Sequence, residues 1–274
     1  MMPKLNMVAL LLLAAACRGD ELADKGRDIF KKNQHAVVTV QVVLKSTSSG
    51  NGRSSNPSES KLDLTGVVID PSGLTVLALS AVDPTELYRR MFDEYKGEAE
   101  VNDIKILLDD GAELPAEIVL RDKDLDLAYL RPKTKPATPM AALDLSKTAT
   151  VDVLDPVIAL NRLNRATGRA YSATVERVDA VMEKPHTFYI PGMGASSASL
   201  GSPAFALNGN VVGIFVMRAV KGGEATGRNA RENMTVVLLP AADILKGEAQ
   251  APEAKGGTDK PAGTSAESTS KEQK

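Results

Sequence analysis

At 274 residues, with 43% hydrophobic and 25% charged side chains, the chain can bury a sizeable core and has the length of one large or two small domains. Its 33 basic residues against 35 acidic ones leave a formal charge of -2, which removes the electrostatic case for nucleic acid or for an anionic membrane surface. Aromatics make up 4% and tryptophan is absent, so no stacking platform for bases or sugars is expected.

Met1 to Asn6 is a short basic start, and Met7–Ala16 is an apolar run too short to span a bilayer that ends in Ala14, Ala15 and Ala16. That combination reads as a secretion signal. Cys17, the sole cysteine, follows directly, and its placement resembles a bacterial lipoprotein cleavage box. Two outcomes stay open there: lipidation of Cys17, which would attach the protein to a membrane, or ordinary cleavage after Ala16 that leaves a thiol. Either way the mature chain is exported, without an internal disulfide.

Asp20–Gln34 is polar, with Leu22, Ile29 and Phe30 at roughly helical spacing, and reads as a linker or a short packed helix. His35–Leu44, rich in valine, reads as a strand, and Ser46–Ser60 as a loop. Leu62–Ile69 resumes as strand before the turn Asp70-Pro71-Ser72-Gly73. Asp83–Gly97 reads as a short rim helix, because Pro84 follows a capping Asp83 and Leu87, Tyr88, Met91 and Phe92 recur at helical spacing. Strands then return at Ile104–Leu108, Ala116–Leu120 and Asp122–Leu130, with Asp109-Asp110-Gly111 as a turn, before a connector marked by Pro132, Pro136 and Pro139.

In the second half, Val157–Leu160 reads as strand and Tyr171–Met182 as a pair of strand segments. Ala198–Ile214 reads as a tight loop feeding a hairpin: Gly201 and Pro203 punctuate it, Phe205 and Leu207 alternate, Asn208-Gly209 turns, and Val211–Val216 returns. Met234–Leu239 is the last strand and Ala241–Leu245 a helical turn. Gly247–Lys274 contains no large apolar residue and cannot fold alone, so 246–274 is expected to be a disordered tail.

Three of these stretches together resemble trypsin-like serine proteases, especially the HtrA type. Gly66–Val82 resembles a strand, turn and strand that end in Thr-Asn-Ala-His-Val-Val. Asp122–Leu130 resembles Asp-x-x-x-Asp-Leu-Ala-x-Leu, and Ala198–Ile214 resembles the nucleophile loop Gly-Asn/Asp-Ser-Gly-Gly/Ser-Pro with its trailing Asn-Gly and Val-Val-Gly-Ile. The resemblance runs from about Val37 to Leu245 and implies an all-β fold of two six-stranded antiparallel barrels, over 36–131 and 145–245, behind a signal segment (1–17) and a linker or helix (18–35). Where the family usually follows Val157–Leu160 with Gly-Asn-Pro, this chain has Asn161-Arg162-Leu163, and the peptide-binding PDZ domain into which many HtrA-type proteases continue is not encoded by the tail.

The same alignment places the family's catalytic histidine on Ser80, its aspartate on Asp126 and its nucleophilic serine on Leu200. Ala198, Ser199 and Leu200 then form the oxyanion loop, with Ala198 where the family has glycine. Acyl transfer needs a nucleophile, a base to take its proton, a carboxylate to orient that base and donors for the oxyanion. Leucine cannot attack, and a serine hydroxyl cannot hold a proton near neutral pH. Ser196, Ser197, Ser199 and Ser202 crowd the loop, but a nucleophile displaced by one residue points elsewhere. His35 and His186 read as structural or exposed histidines, and Asp126, without its histidine, as a carboxylate that holds neighbouring loops.

Two histidines and one cysteine cannot compose a zinc site, and no glycine-rich stretch has the context of a phosphate cradle, so no metal or cofactor is expected. The expected function is that of a pseudoprotease in a bacterial cell envelope or periplasm, where its cleft binds an extended polypeptide or a protein partner. The alternative is a working serine endopeptidase with a displaced catalytic set.

Overall fold

Valine-rich strands set the first barrel. In the computed structural model, which describes residues 20–47, 49–50, 53–54, 58–91, 98–192, 199–220 and 233–252, β1 (Val37–Thr47) turns Val38, Val40 and Val42 into a closed barrel. The intervening Val37, Thr39 and Gln41 face the other way and are buried too, because a second layer covers them. β1 pairs with β4 (Ser58–Val68) and β6 (Glu98–Leu107), and β5 (Thr75–Ala78), β8 (Leu127–Pro132) and β7 (Glu113–Asp122) complete the ring in the order β1-β4-β5-β8-β7-β6. Two residue pairs, β2 (Ser49–Gly50) and β3 (Arg53–Ser54), form a small separate ladder. The β4–β5 turn uses Gly73 at φ 97°, with its N–H donated to the Asp70 carbonyl at 2.9 Å.

The second barrel closes in the order β10-β11-β14-β13-β12-β9. Its strands are β9 (Pro156–Arg162), β10 (Tyr171–Met182), β11 (Phe188–Pro191), β12 (Pro203–Phe205), β13 (Val211–Ala219) and β14 (Met234–Pro240). This is the two-barrel, antiparallel all-β architecture that the sequence implies. Tyr171–Met182 is one strand with a bulge between Val178 and Ala180, not two segments. β1 and β4 also reach into the Ser46–Ser60 stretch read as loop, since Ser46 pairs with Ser58.

Among the described residues four α-helices decorate the barrels: α1 (Glu21–Asn33), α2 (Leu79–Val82), α3 (Pro84–Met91) and α4 (Ala241–Glu248). Helix α1 is the packed alternative of the two readings for Asp20–Gln34. Asp20 caps it through Oδ1 to the N–H groups of Leu22 and Ala23, and Ile29 and Gly26 are buried against the second barrel. A Cβ on Gly26 would lie 3.3 Å from Ile158 Cδ1, so the glycine sets how closely the helix approaches.

A third apolar cluster joins the barrels, with Ile29, Val67, Tyr129, Ile158, Phe205 and Ile244 among its members. Each such fully buried side chain contributes roughly 1.5–3 kcal/mol. Three polar clamps edge it. Thr65 donates to Asn161, Asp63 pairs with Arg169 at 2.7 Å, and Asp109 takes the Tyr171 hydroxyl at 2.5 Å and Arg162 at 3.3 Å.

Burial alone would raise the Asp63 carboxyl, but hydrogen bonds from Arg169 and Gln41 outweigh it and hold the group below the ordinary carboxylate value. Asp109 behaves alike, with Tyr171 and His35 as its bonded partners. Both clamps therefore contribute stability that is whole above the unfolded carboxyl value near pH 4 and is lost as pH falls through their lower folded values. Thermal midpoints taken from about pH 5 to about pH 3 should fall more steeply for the natural protein than for Asp63→Asn. Parallel slopes would remove Asp63 from this account.

Candidate functional site

β5 ends at Ala78, which pairs with Leu127 at the start of β8, and this register brings α2 over the turn that precedes β8. Asp122 holds that turn through Oδ1 to the N–H groups of Asp124 and Leu125. The chain then enters Asp126 at φ 59°, a left-handed conformation that aspartate tolerates better than most residues. Its carbonyl accepts the Leu79 N–H at 2.8 Å, and its carboxylate swings under α2.

There Asp126 Oδ1 accepts the Ser80 N–H at 2.7 Å and Oδ2 accepts the Ser80 hydroxyl at 2.8 Å. A third donor, the Met217 N–H of β13, reaches Oδ2 at 2.7 Å. Asp126 and Ser80 are each only 8% exposed, so these bonds replace water that the carboxylate has lost. Sequence reasoning paired Ser80 with Asp126 but missed Met217, whose place depends on how β13 of one barrel meets the β5–β8 end of the other.

Leu200 is buried at 8% exposure in the turn before β12. The loop is tied down on both sides: Gly201 donates its N–H to the Phe215 carbonyl at 2.8 Å, and Ser202 donates its own to the Ser199 carbonyl at 3.0 Å. The Ser202 side-chain hydroxyl is buried and finds no hydrogen-bond partner among the described residues. Ala198, Ser196 and Ser197 lie outside the described residues, as does Cys17.

Beside Ser80 and Asp126 sits a void of about 20 Å³, lined also by Leu79, Leu87 and Met217, with room for about one water. Neither histidine touches Asp126. His35 stands in the 3₁₀ turn before β1, its Nδ1 2.9 Å from Asp109 Oδ2 and its ring edge-on to Tyr171, while His186 packs edge-on to Phe188. His35, Asp109, Tyr171 and Arg162 thus form a cluster that the sequence did not reveal, because each comes from a different element. No group of three or more metal-ligating side chains occurs among the described residues.

Residues 64–214, more than half of the chain, match the family model for the trypsin-like peptidase domain. The chain belongs to that family. No curated protein matches it. The matched span runs from β4 into β13 and so takes in Ser80, Asp126 and Leu200. Family membership and the paired barrels establish a protease-fold protein. What this copy of the fold does depends on the chemistry that its side chains offer.

Proposed function

We propose that this chain is an exported, HtrA-type member of the family that no longer cleaves peptide bonds and instead binds an extended polypeptide or protein partner in the cell envelope. One observation carries the reading: the Asp126 carboxylate is bonded to the Ser80 hydroxyl and to the Ser80 and Met217 N–H groups, whereas the two histidines of the chain contact Asp109, Tyr171 and Phe188. An Asp–His–Ser relay needs an imidazole between the carboxylate and the nucleophile. Here a hydroxyl stands next to the acid and hydrocarbon stands at Leu200.

Among the described residues one stretch of strand edge pairs with no other strand. β13 pairs with β12 only as far as Ile214, while its other side follows β14 out to Ala219. An extended peptide added beside Met217–Ala219 would use the main-chain groups left there once the Met217 N–H is donated to Asp126, and needs no triad. Export is supported by the apolar Met7–Ala16 segment and its small-residue end, and attachment to the membrane by Cys17 directly after it. Mass spectrometry of the mature amino terminus tests the lipid: a diacylglyceryl cysteine as first residue is the expected result.

A fluorophosphonate probe tests the loss of chemistry. The purified protein is expected to stay unlabelled under conditions that saturate an active serine protease. Covalent labelling, mapped to any serine of the 196–202 loop, would return the protein to the working enzymes.

A further inference from the structure

Five consecutive residues of β10, Tyr171–Val175, line a groove of about 320 Å³ whose opposite wall is Leu22, Ala23, Gly26 and Phe30 of α1. Successive side chains of a strand point to opposite faces, so a groove that touches all five runs along the strand's edge.

Pairing shows which edge it is. β9 holds one side of β10 from Tyr171↔Arg162 to Arg177↔Pro156, and the Val178 N–H continues that side by donating to the Asp155 carbonyl at 3.1 Å. Main-chain groups alternate between the edges of an antiparallel strand. Those of Ser172, Thr174, Glu176 and Val178 therefore turn toward β9, and those of Ala173, Val175 and Arg177 turn away. Arg177 is met there by the Gly192 N–H at 2.8 Å, where β11 arrives, and β11 pairs with β10 only from Val178↔Pro191 onward. Among the described residues no strand pairs with β10 on the side to which Ala173 and Val175 turn. Ala173, Thr174 and Val175 are all exposed, Val175 at 49%.

We propose that this groove docks an extended apolar segment of a partner protein, which joins β10 as an added strand. The row of main-chain donors and acceptors matches the backbone of an extended chain, and the apolar wall of α1 matches its side chains. The helix also selects among occupants, since a second copy pairing through β10 would bring its own α1 into the same space. At the start of α1 stand Asp20, Glu21 and Asp24, while Lys25 is tied to Glu21 at 2.9 Å and Arg27, the one charged side chain in the groove's lining, is tied to Asp24 at 2.6 Å, which leaves an acidic excess at the helix start. This charge favours a segment flanked by lysine or arginine. The surface is separate from the β13 edge beside Asp126.

The test uses a fluorescein-labelled heptapeptide that alternates valine and threonine between terminal lysines, followed by anisotropy and by amide hydrogen exchange on the full chain. Binding is expected, with slowed exchange at Ala173 and Val175. Val175→Pro deletes the edge N–H without breaking a β9 bond, and Ala23→Phe fills the groove from the helix side. Each should weaken binding by at least about tenfold, while Lys135→Ala, exposed on the connector between the barrels, leaves it unchanged. Ala23→Phe leaves the strand intact, so the proposal stays open to refutation even if the proline variant fails to fold. It is overturned by no binding up to about 1 mM peptide. Equal binding by wild type, Val175→Pro and Ala23→Phe, protection confined to β13, or a concentration-dependent dimer through this edge also overturns it.

Discussion

Asp126→Asn is expected to destabilise the protein by about 1–3 kcal/mol, a large share of a single domain's margin. The substitution keeps the size of the side chain and tolerates the left-handed φ of 59°, so it tests the carboxylate alone. In the natural protein both oxygens accept, one from the Ser80 N–H and the other from the Ser80 hydroxyl and the Met217 N–H. An amide has one accepting oxygen. Whichever way it turns, its NH₂ faces a backbone N–H, donor against donor, in a site where Asp126 is only 8% exposed. Ser80→Ala should cost less, because the rotatable hydroxyl goes but the two backbone donors keep their acceptor. In the double variant the two losses should not add, since both act on one network. Urea denaturation at neutral pH measures all three. A neutral Asp126→Asn would mean that the carboxylate does not tie α2 to β13.

That carboxylate also marks how far the chain could be read without coordinates. Val38, Val40 and Val42 announce a strand through β-branching and period, and Asn208-Gly209 announces a turn that the structure delivers with Gly209 at φ 85°. The meeting of Ser80 and Asp126 was legible only through the family resemblance of the two motifs that carry them, and the structure realises it through one residue pairing, Ala78↔Leu127. Met217 was not legible, since its N–H arrives from the other barrel and no local pattern encodes that docking. The polar start of β4 hid for another reason: Ser58–Lys61 are exposed and are held as strand by main-chain pairing to β1, which leaves no apolar period to read. The cluster of His35, Asp109, Arg162 and Tyr171 likewise depends on the approach of a turn in one barrel to a hairpin in the other. Such contacts are written in the geometry of the interface, which the periodicities of helix and strand do not record.

Gly201→Ala is expected to cost more than Gly209→Ala by several kcal/mol, and it should prevent folding if the natural margin is small. Both glycines hold a left-handed backbone, φ 84° at Gly201 and 85° at Gly209, so the conformational penalty of a Cβ, about 1–2 kcal/mol, is common to the pair. Their surroundings differ. At Gly209 nothing lies within 4 Å of the added atom, whereas at Gly201 it would fall 2.0 Å from the Thr65 carbonyl oxygen and 3.5 Å from Leu77 Cβ. Thr65 is backbone of β4 in the first barrel and cannot rotate away like a side chain. The loop cannot retreat either, because the Gly201 N–H is held by Phe215 and β12 begins two residues on, at Pro203. Relief would have to come from parting the barrels at this seam, with loss of the contacts among Val67, Phe205 and Ile214. The difference between the two variants in urea denaturation therefore isolates the barrel-to-barrel contact from the turn conformation. Equal losses would show that the loop carrying Leu200 does not press on β4, and the seam would then have to be held by the apolar cluster and the polar clamps alone.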